Sequence, residues 1–288
     1  MQAHEQGRVN YREESRQMGN RIGRTEQIRI YVGKCWRLFI NERQWKNLVS
    51  TLIITVLISL VTSSETFRNG VQTKNSCFAF ICACIWVGIF NSIQSVCRER
   101  GIIKREHRTG LHISSYIGAH VIFEGILCAA EALIVLLVVL VKNSSHLPDS
   151  GLLFPLAIDM YLTMYLTVFA SDMLAILVSC IVKDTNSAMT VMPFVLIVQL
   201  VFGGVIFELD GIADLLSNLT VSKWGMNGLM SIACTNDMVR FDPFLKENAW
   251  QKPEAGNLAT IWLIMFIIAI ICAVLATLAL SFVDRDKR

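Results

Sequence analysis

Charge is what this 288-residue sequence has little of: only 17% of its residues are Asp, Glu, Lys or Arg, and 53% are hydrophobic. A soluble globular domain of this length would carry about a quarter charged residues. The charges that are present cluster before residue 47, around 98–108, between 208 and 254, and at the last five positions. The apolar runs between these clusters reach the roughly 20 residues that a membrane crossing needs. The composition therefore argues against a soluble protein or a nucleic-acid partner and predicts an all-α, multi-pass membrane protein.

The sequence also lacks a cleavable signal peptide and a disulfide pattern. The first 46 residues contain no apolar stretch of the signal-peptide type, so the first span must serve as its own insertion signal. The cysteines are odd in number and form no CxxC pair, which argues against a disulfide framework and favours small buried or lipid-facing residues. The nine are Cys35, Cys77, Cys82, Cys84, Cys97, Cys128, Cys180, Cys234 and Cys272.

The apolar periodicity divides the chain into a polar tail, an amphipathic helix and a membrane domain. Residues 1–24 form the polar tail. Over 25–46, apolar residues at helical spacing lie opposite Arg29, Lys34 and Arg37. This pattern is typical of an interfacial helix that lies on the membrane surface, with its basic residues available to lipid phosphates, although a helix packed on a soluble domain would show it too. A six-span domain over 47–283 follows, with spans predicted at 47–64, 76–97, 113–141, 153–182, 188–207 and 258–283, and then a tail at 284–288.

The distribution of Lys and Arg predicts the orientation of these spans. Residues 1–46, every second connection and the C-terminal tail together carry 19 of these residues, whereas the alternate connections carry 7. Both termini are therefore expected in the cytoplasm, with the protein in the cell membrane. The sizeable external segment is then 208–257. Within it, residues 215–230 (LLSNLTVSKWGMNGLM) read as a short helix or re-entrant segment, with a plain external loop as the alternative.

The cytoplasmic connection between the second and third spans has a distinct charge pattern. Its charges alternate in sign, and positive-inside retention explains the Lys and Arg residues but not Glu99 and Glu106. Ile102 and Ile103 interrupt the charges, and Gly110 permits a sharp turn into the next span. We therefore expect a short helix along the membrane face that sets these side chains against another protein.

This connection resembles the corresponding loop of ABC type-2 exporter permeases, the G-subfamily-like branch, in its bacterial form. The similarity is carried by Glu99-Arg100, Arg105-Glu106-His107, Gly110-Leu111, Ser114-Ser115-Tyr116 and Glu124. A second similarity lies in residues 192–207 (MPFVLIVQLVFGGVIF) and the external segment that follows. Leu111-His112 departs from the aromatic residues often found after the glycine. The resemblance covers about residues 25–285.

The resemblance implies a coupling helix that docks on an ATPase. The sequence contains no GxxxxGK[ST] phosphate-binding loop, so we expect ATP and Mg²⁺ to be held by a separate ATPase chain or by a part of the protein outside this sequence, with no cofactor in this chain. A second permease copy, identical or paralogous, is the other implied partner. The residues expected at the ATPase contact are Arg98, Glu99, Arg100, Ile102, Ile103, Lys104, Arg105, Glu106, His107 and Arg108, with the two isoleucines as anchors.

The resemblance also implies a central cavity between the second and fifth spans, suited to an amphipathic or apolar substrate. The residues expected to line it are Phe80, Cys84, Val87 and Asn91, facing Met192, Leu196, Gln199 and Leu200. Val205 and Ile206, after Gly203-Gly204, occupy the position of a bulky apolar gate.

Several ionisable residues fall inside the predicted spans, where they are costly and usually face protein or water. They are His120, Glu124, Glu131, Asp159 and Asp172. We expect structural hydrogen bonding rather than substrate or proton binding, and no metal. An intramembrane enzyme using His120 and Glu124 is the weaker alternative, because the sequence has no HExxH, no GxSxG and no second histidine at ligand spacing. A structural or sensory membrane protein is another.

Overall fold

The structure is a computed structural model that describes residues 23–63, 66–108, 110–144, 146–148, 150–207, 211–242 and 249–285. Every regular element in these ranges is helical, which confirms the predicted all-α class. The predicted tails at 1–24 and 284–288 lie largely outside the described residues, as do parts of the predicted external segment.

Seven helices make up the first part of the chain and its apolar bundle. They are α1 (Arg24–Asn41), α2 (Lys46–Val61), α3 (Gly70–Ser92), α4 (Ser95–Arg108), α5 (Ile113–Lys142), α6 (Leu156–Ile181) and α7 (Thr185–Val201). The segment after α7 contains α8 (Ile212–Ser217), α9 (Val221–Ala233), α10 (Asp237–Arg240) and a 3₁₀ turn at Ala249–Gln251, and α11 (Ala255–Arg285) closes the described chain.

Six of these helices fall at the predicted spans, but they differ in length. The α3–α4 run, α5, α6 and α11 are each long and apolar enough to cross a membrane. Helix α2 has 16 residues and meets that criterion only together with α1, from which it is bent by 69°. Helix α7 has 17 residues. Length and composition thus support four spans, or five with the bent pair, and α7 is a shorter apolar helix.

The predicted connection after the second span is itself helical. Helices α3 and α4 form one run of 39 residues, interrupted only at residues 93–94. At 1.5 Å per residue this run is roughly 58 Å long, about twice the hydrocarbon thickness of a bilayer. Helix α4 therefore continues beyond the apolar part of α3, in place of the predicted short helix along the membrane face. The run ends before Gly110, whose φ of +115° makes the sharp turn into α5.

Helix α6 is the centre of the bundle and packs against α3, α5, α9 and α11. Its contact with α3 is closest at Gly88, where an added Cβ atom would lie 2.5 Å from the carbonyl oxygen of Val168 and 3.0 Å from the nitrogen of Asp172. Helix pairs in membranes use such small residues to bring their backbones together. Gly88 thus fixes the spacing between α3 and α6.

Replacing Gly88 with alanine should separate these two helices and destabilise the protein by about 1–3 kcal/mol, the usual cost of overpacking. The measurement is the thermal unfolding midpoint of the purified protein in detergent. Gly101→Ala in α4 is the matched control, because its Cβ atom would meet nothing within 4 Å and alanine favours a helix by about 1 kcal/mol. Equal midpoints for the two variants would contradict the close packing at Gly88.

Helix α1 lies against the first half of α5. Cys35 packs with Phe123 and Leu127 of α5, and Phe39 contacts the same cluster. The face of α1 predicted to meet lipid is therefore at least half-buried on protein, because it packs on apolar residues of α5. Ile40 is 65% exposed on another side of α1, and the location of this helix among membrane lipids stays a prediction.

Candidate coupling and transport site

Helix α4 leaves one stripe of its surface open, which we call the α4 stripe. It consists of residues spaced three and four apart: Arg98, Gly101, Ile102, Arg105 and Arg108. Ile102 is 38% exposed at its centre, flanked by the arginines. Ile103 is completely buried in the core, so the prediction that both isoleucines anchor a partner was wrong for Ile103. An isolated apolar side chain ringed by arginines is available at this surface.

Arg100 faces into the protein and caps the end of α6. Its guanidinium donates hydrogen bonds to the carbonyl oxygens of Val182, at 2.6 Å, and Cys180. The hydroxyl of Ser179 in turn accepts from the backbone nitrogen atoms of Val96 and Cys97, both at 3.1 Å. The final carbonyl groups of a helix have no partner within the helix. Arg100 therefore ties α4 to α6, and the prediction that it meets a partner protein places it on the wrong face.

Both glutamates of α4 point towards α1. Lys34 forms a 3.3 Å ion pair with Glu99, and the hydroxyl of Tyr116 donates to the same carboxylate at 3.3 Å. The hydroxyl of Tyr31 donates a hydrogen bond to Glu106. Burial and the neighbouring Glu106 carboxylate raise the pKa of Tyr31 above its ordinary value. Positive-inside retention left these two acidic residues unexplained. The contacts within the chain account for both of them, so no partner protein is needed to explain their presence.

Two further contacts fasten the ends of this assembly. The Gln27 side chain donates to the carbonyl oxygen of Gly110 at 3.2 Å and accepts from the backbone nitrogen of His112 at 3.1 Å. Arg98 pairs with Glu42 at 2.8 Å. Sequence reasoning missed Tyr31 and Glu42 as partners of α4, and Gln27 as a partner of the turn that follows it. The only indication of these contacts in the sequence is that the three residues lie on or beside α1, a helix that was predicted to contact lipid.

Of the remaining α4 residues, Lys104 is half-buried and His107 is exposed. The Nδ1 atom of His107 lies 2.8 Å from the carbonyl oxygen of Leu111. His107 therefore stabilises the turn that leads into α5.

The ionisable residues predicted inside the spans are all buried. Asp159 in the first turn of α6 accepts hydrogen bonds from the backbone nitrogen atoms of Leu152, Leu153 and Phe154 at 2.6, 3.1 and 3.0 Å. It fixes the chain that enters α6, which agrees with the structural role expected for it.

The other acidic residues face one another across α3, α5 and α6. The Asn91 side chain donates to Glu131, and the Ser92 hydroxyl donates to Asp172. Ser92 is also within hydrogen-bonding reach of Glu124. Asp159 and Asp172 have separate partners. Hydrogen bonds therefore account for much of this cluster.

The residues predicted to line a central cavity lie mostly inside the chain. Phe80, Cys84 and Val87 are at most 2% exposed and belong to the core, and Met192 and Leu196 pack on the same core. Gln199 accepts hydrogen bonds from the backbone nitrogen atoms at the start of α9, and Leu200 is half-buried. Apart from Asn91, which lines a cavity beside Glu124, the structure does not place these residues around an opening. On α3 the exposed positions are instead residues such as Trp86, at 38%, and Phe90, at 45%.

The predicted gate lies in a turn and not in a span. Helix α7 ends at Val201, six residues before the predicted end of the span, because the chain turns through Gly203 and Gly204. Val205 packs on the core, whereas Ile206 is 53% exposed. The following helix α9 is almost wholly buried and contacts α3, α6 and α11. This segment is thus a packed helix, which differs from the plain loop considered as an alternative.

Comparison with known proteins identifies the class that this bundle defines. The ABC-2 type transporter family matches residues 26–233, which is most of the chain. The chain therefore belongs to that family and is the membrane component of an ABC transporter, which confirms the resemblance found in the sequence. The family's membrane component is not itself catalytic, and it works with an ATPase subunit.

A particular relative is the ABC transporter ATP-binding/permease protein Rv1747 of Mycobacterium tuberculosis. It is 27% identical to this chain over 161 residues, which is 55% of the chain and 18% of the relative. The chain thus spans about a fifth of the length of a protein whose name combines an ATP-binding and a permease part.

Proposed function

We propose that this chain is the permease subunit of an ATP-driven exporter, inserted in the cell membrane with both termini in the cytoplasm. Two copies, or one copy and a paralogue, form the transport unit with an ABC ATPase that holds ATP and Mg²⁺. The substrate is amphipathic or apolar, and it moves by alternating access. The observation that supports this proposal best is α4, which extends the second span and is fixed by side chains to both α1 and α6.

The α4 stripe is the surface on which we propose that the ATPase docks. Ile102 supplies an apolar centre, and the surrounding arginines supply a polar rim, an arrangement typical of protein interfaces. Movement of the docked ATPase would reach α6 directly through Arg100 and would reach α1 through Glu99 and Glu106. A displacement of α4 is thereby transmitted to the centre of the bundle.

For the transport path, we propose the open face of α3 together with the turn after α7. Trp86 and Phe90 on α3 and Ile206 after α7 present exposed apolar side chains that a second copy would cover. Val205 and Ile206 remain the proposed gate between such a path and the external side.

Purification of the tagged chain from its native membrane tests the proposed function. We expect an ABC ATPase to co-purify in equal amount, and the complex to hydrolyse ATP and to move substrate when reconstituted into vesicles. A chain that purifies without an ATPase under mild detergent, from cells in which it is expressed at its natural level, would contradict the proposal and favour a structural or sensory role.

A further inference from the structure

A polar cavity of about 240 Å³ lies where α1, α2, α3, α4 and α5 meet. Its wall includes the carboxylates of Glu99 and Glu124, the imidazole of His120, and the amides of Asn47 and Asn91. Cavities that bind small ligands combine an apolar wall with a few convergent polar groups. This cavity has both, because Leu38, Phe90, Phe123 and Leu127 supply an apolar part of its wall. It is separate from the α4 stripe, apart from Arg98 at its rim.

Two of its buried side chains have unused binding capacity. Glu124 is 6% exposed, and no ion pair joins it to a Lys or Arg in the part of the chain that the structure describes. His120 is 7% exposed, and its Nδ1 atom has no hydrogen-bond partner among the described residues. The two nearby cations have other partners, since Lys34 pairs with Glu99 and Arg98 pairs with Glu42. A buried carboxylate of this kind requires a proton or a cation from outside the chain.

The lining favours an organic ammonium group over a metal ion. The rings of Phe90 and Phe123 belong to the cavity wall, and aromatic rings attract ammonium groups through their π faces. Within the described residues, no three His, Cys, Asp or Glu side chains are grouped to hold a metal. Burial raises the pKa of the Cys35 thiol in the cavity wall to about 12, and the nearby Glu99 and Glu124 carboxylates contribute to that rise against a smaller lowering by Lys34.

We expect the cavity to lie at the depth of lipid headgroups. It sits at the bend between α1 and α2, where the chain passes from a polar helix to an apolar one. Trp36 and Trp45 on either side of this bend are 39% and 49% exposed. Tryptophan is enriched at the boundary between membrane and water. A lipid headgroup can therefore reach the cavity without leaving the bilayer.

We propose that this cavity is a binding site for a primary ammonium group, with Glu124 as the counter-ion and the Phe90 and Phe123 rings as its apolar wall. The group can come from the headgroup of phosphatidylethanolamine in the adjacent leaflet or from a free amine. Phe90 also belongs to the proposed transport path, but the binding of an ammonium group requires neither the ATPase nor transport, so the site can be tested separately from the proposed function.

Cys35 in the cavity wall provides a direct test. The whole purified protein is treated with two reagents of similar size, cationic 2-aminoethyl methanethiosulfonate and anionic 2-sulfonatoethyl methanethiosulfonate, and modification is followed by peptide mass spectrometry. Cys82 is half-buried on α3 outside the cavity. The ratio of its modification rates with the cationic and the anionic reagent is the reference to which the ratio for Cys35 is compared. We expect Cys35 to prefer the cation by at least about tenfold over that ratio, because of the nearby carboxylates. Equal normalised rates would overturn the proposal.

Glu124→Gln should remove this preference, whereas Glu131→Gln, the same change outside the cavity wall, should keep it. A preference that survives Glu124→Gln would also overturn the proposal.

The source of the ammonium group, lipid or free amine, is distinguished with uncharged methyl methanethiosulfonate on protein in nanodiscs. Slower modification of Cys35 in phosphatidylethanolamine than in phosphatidylcholine identifies the lipid, and slowing by ethanolamine added to phosphatidylcholine discs identifies a free amine. If neither phosphatidylethanolamine nor ethanolamine slows the modification of Cys35, ammonium binding is contradicted.

Discussion

Replacing Ile102 with glutamate is expected to abolish binding of the ATPase while the chain folds and inserts normally. The side chain is 38% exposed, lies on the α4 stripe and is not part of the hydrophobic core, so the substitution leaves the core packing intact. In a docked complex the same position is covered, and a glutamate there would have to be desolvated together with the neighbouring arginines, which costs several kcal/mol per ion. Since 1.4 kcal/mol corresponds to a tenfold change, we expect affinity for the ATPase to fall at least about 100-fold. Pull-down of the ATPase and ATP-driven transport in vesicles are the measurements.

Two variants serve as controls for the Ile102→Glu experiment. Ile212→Glu changes another exposed isoleucine, in the segment between α7 and α9 that is predicted to face outwards, and should leave binding unchanged. Gly101→Ala adds one methyl group to the α4 stripe where the single chain has open space, so it should weaken binding only if the ATPase packs closely. Normal ATPase binding by Ile102→Glu would leave α4 without a docking role.

A charge reversal at Glu106 would not separate docking from folding. The carboxylate accepts a hydrogen bond from Tyr31 in the same chain. A lysine there would remove that acceptor and break the contact between α4 and α1. The exposed Ile102 provides the cleaner substitution.

The helices and the family could be predicted from the sequence because their signals are local. Apolar runs, their lengths and the glycine at position 110 each reflect a few neighbouring residues, and the structure has helices at all six predicted spans. The helical nature of α4 was predictable for the same reason. Which side of α4 is open was not, because its orientation depends on contacts such as Arg100 to Val182 and Tyr31 to Glu106, which join residues 82 and 75 positions apart.

The transport path was harder to predict because α3 is apolar on all sides. A helix of this kind has no polar face to show which residues meet the bundle and which meet a second copy or lipid. Phe80 and Cys84 were assigned to a cavity by resemblance, yet the close approach of α6 at Gly88 buries them within one chain. The cavity beside Glu124 was missed for a related reason. It is formed by five helices, and its lining residues are spread from Cys35 to Leu127.

Replacing Arg100 with glutamine is expected to give the largest loss of stability in α4 and also to uncouple it from the bundle. The guanidinium donates to two carbonyl oxygens at the end of α6, and hydrogen bonds from charged donors contribute about 1.5–3 kcal/mol each. The shorter, neutral side chain cannot reach both carbonyl oxygens. We expect a loss of about 3 kcal/mol, which corresponds to a fall of roughly 6 °C in the unfolding midpoint for a chain of this size.

The functional part of the Arg100→Gln prediction follows from the position of this residue between two helices. It lies on the side of α4 opposite the α4 stripe, so the ATPase should still bind with normal affinity. The displacement of α4 would, however, no longer be carried to α6, and we expect ATP hydrolysis to continue while transport falls several-fold. Arg105→Gln removes an exposed arginine of the α4 stripe and should show the reverse pattern, with an unchanged midpoint and weaker binding. A reduction of transport and ATPase binding in the same proportion would contradict this prediction. Arg100 would then stabilise the conformation of α4 that binds the ATPase, and it would not transmit the displacement of α4 to α6.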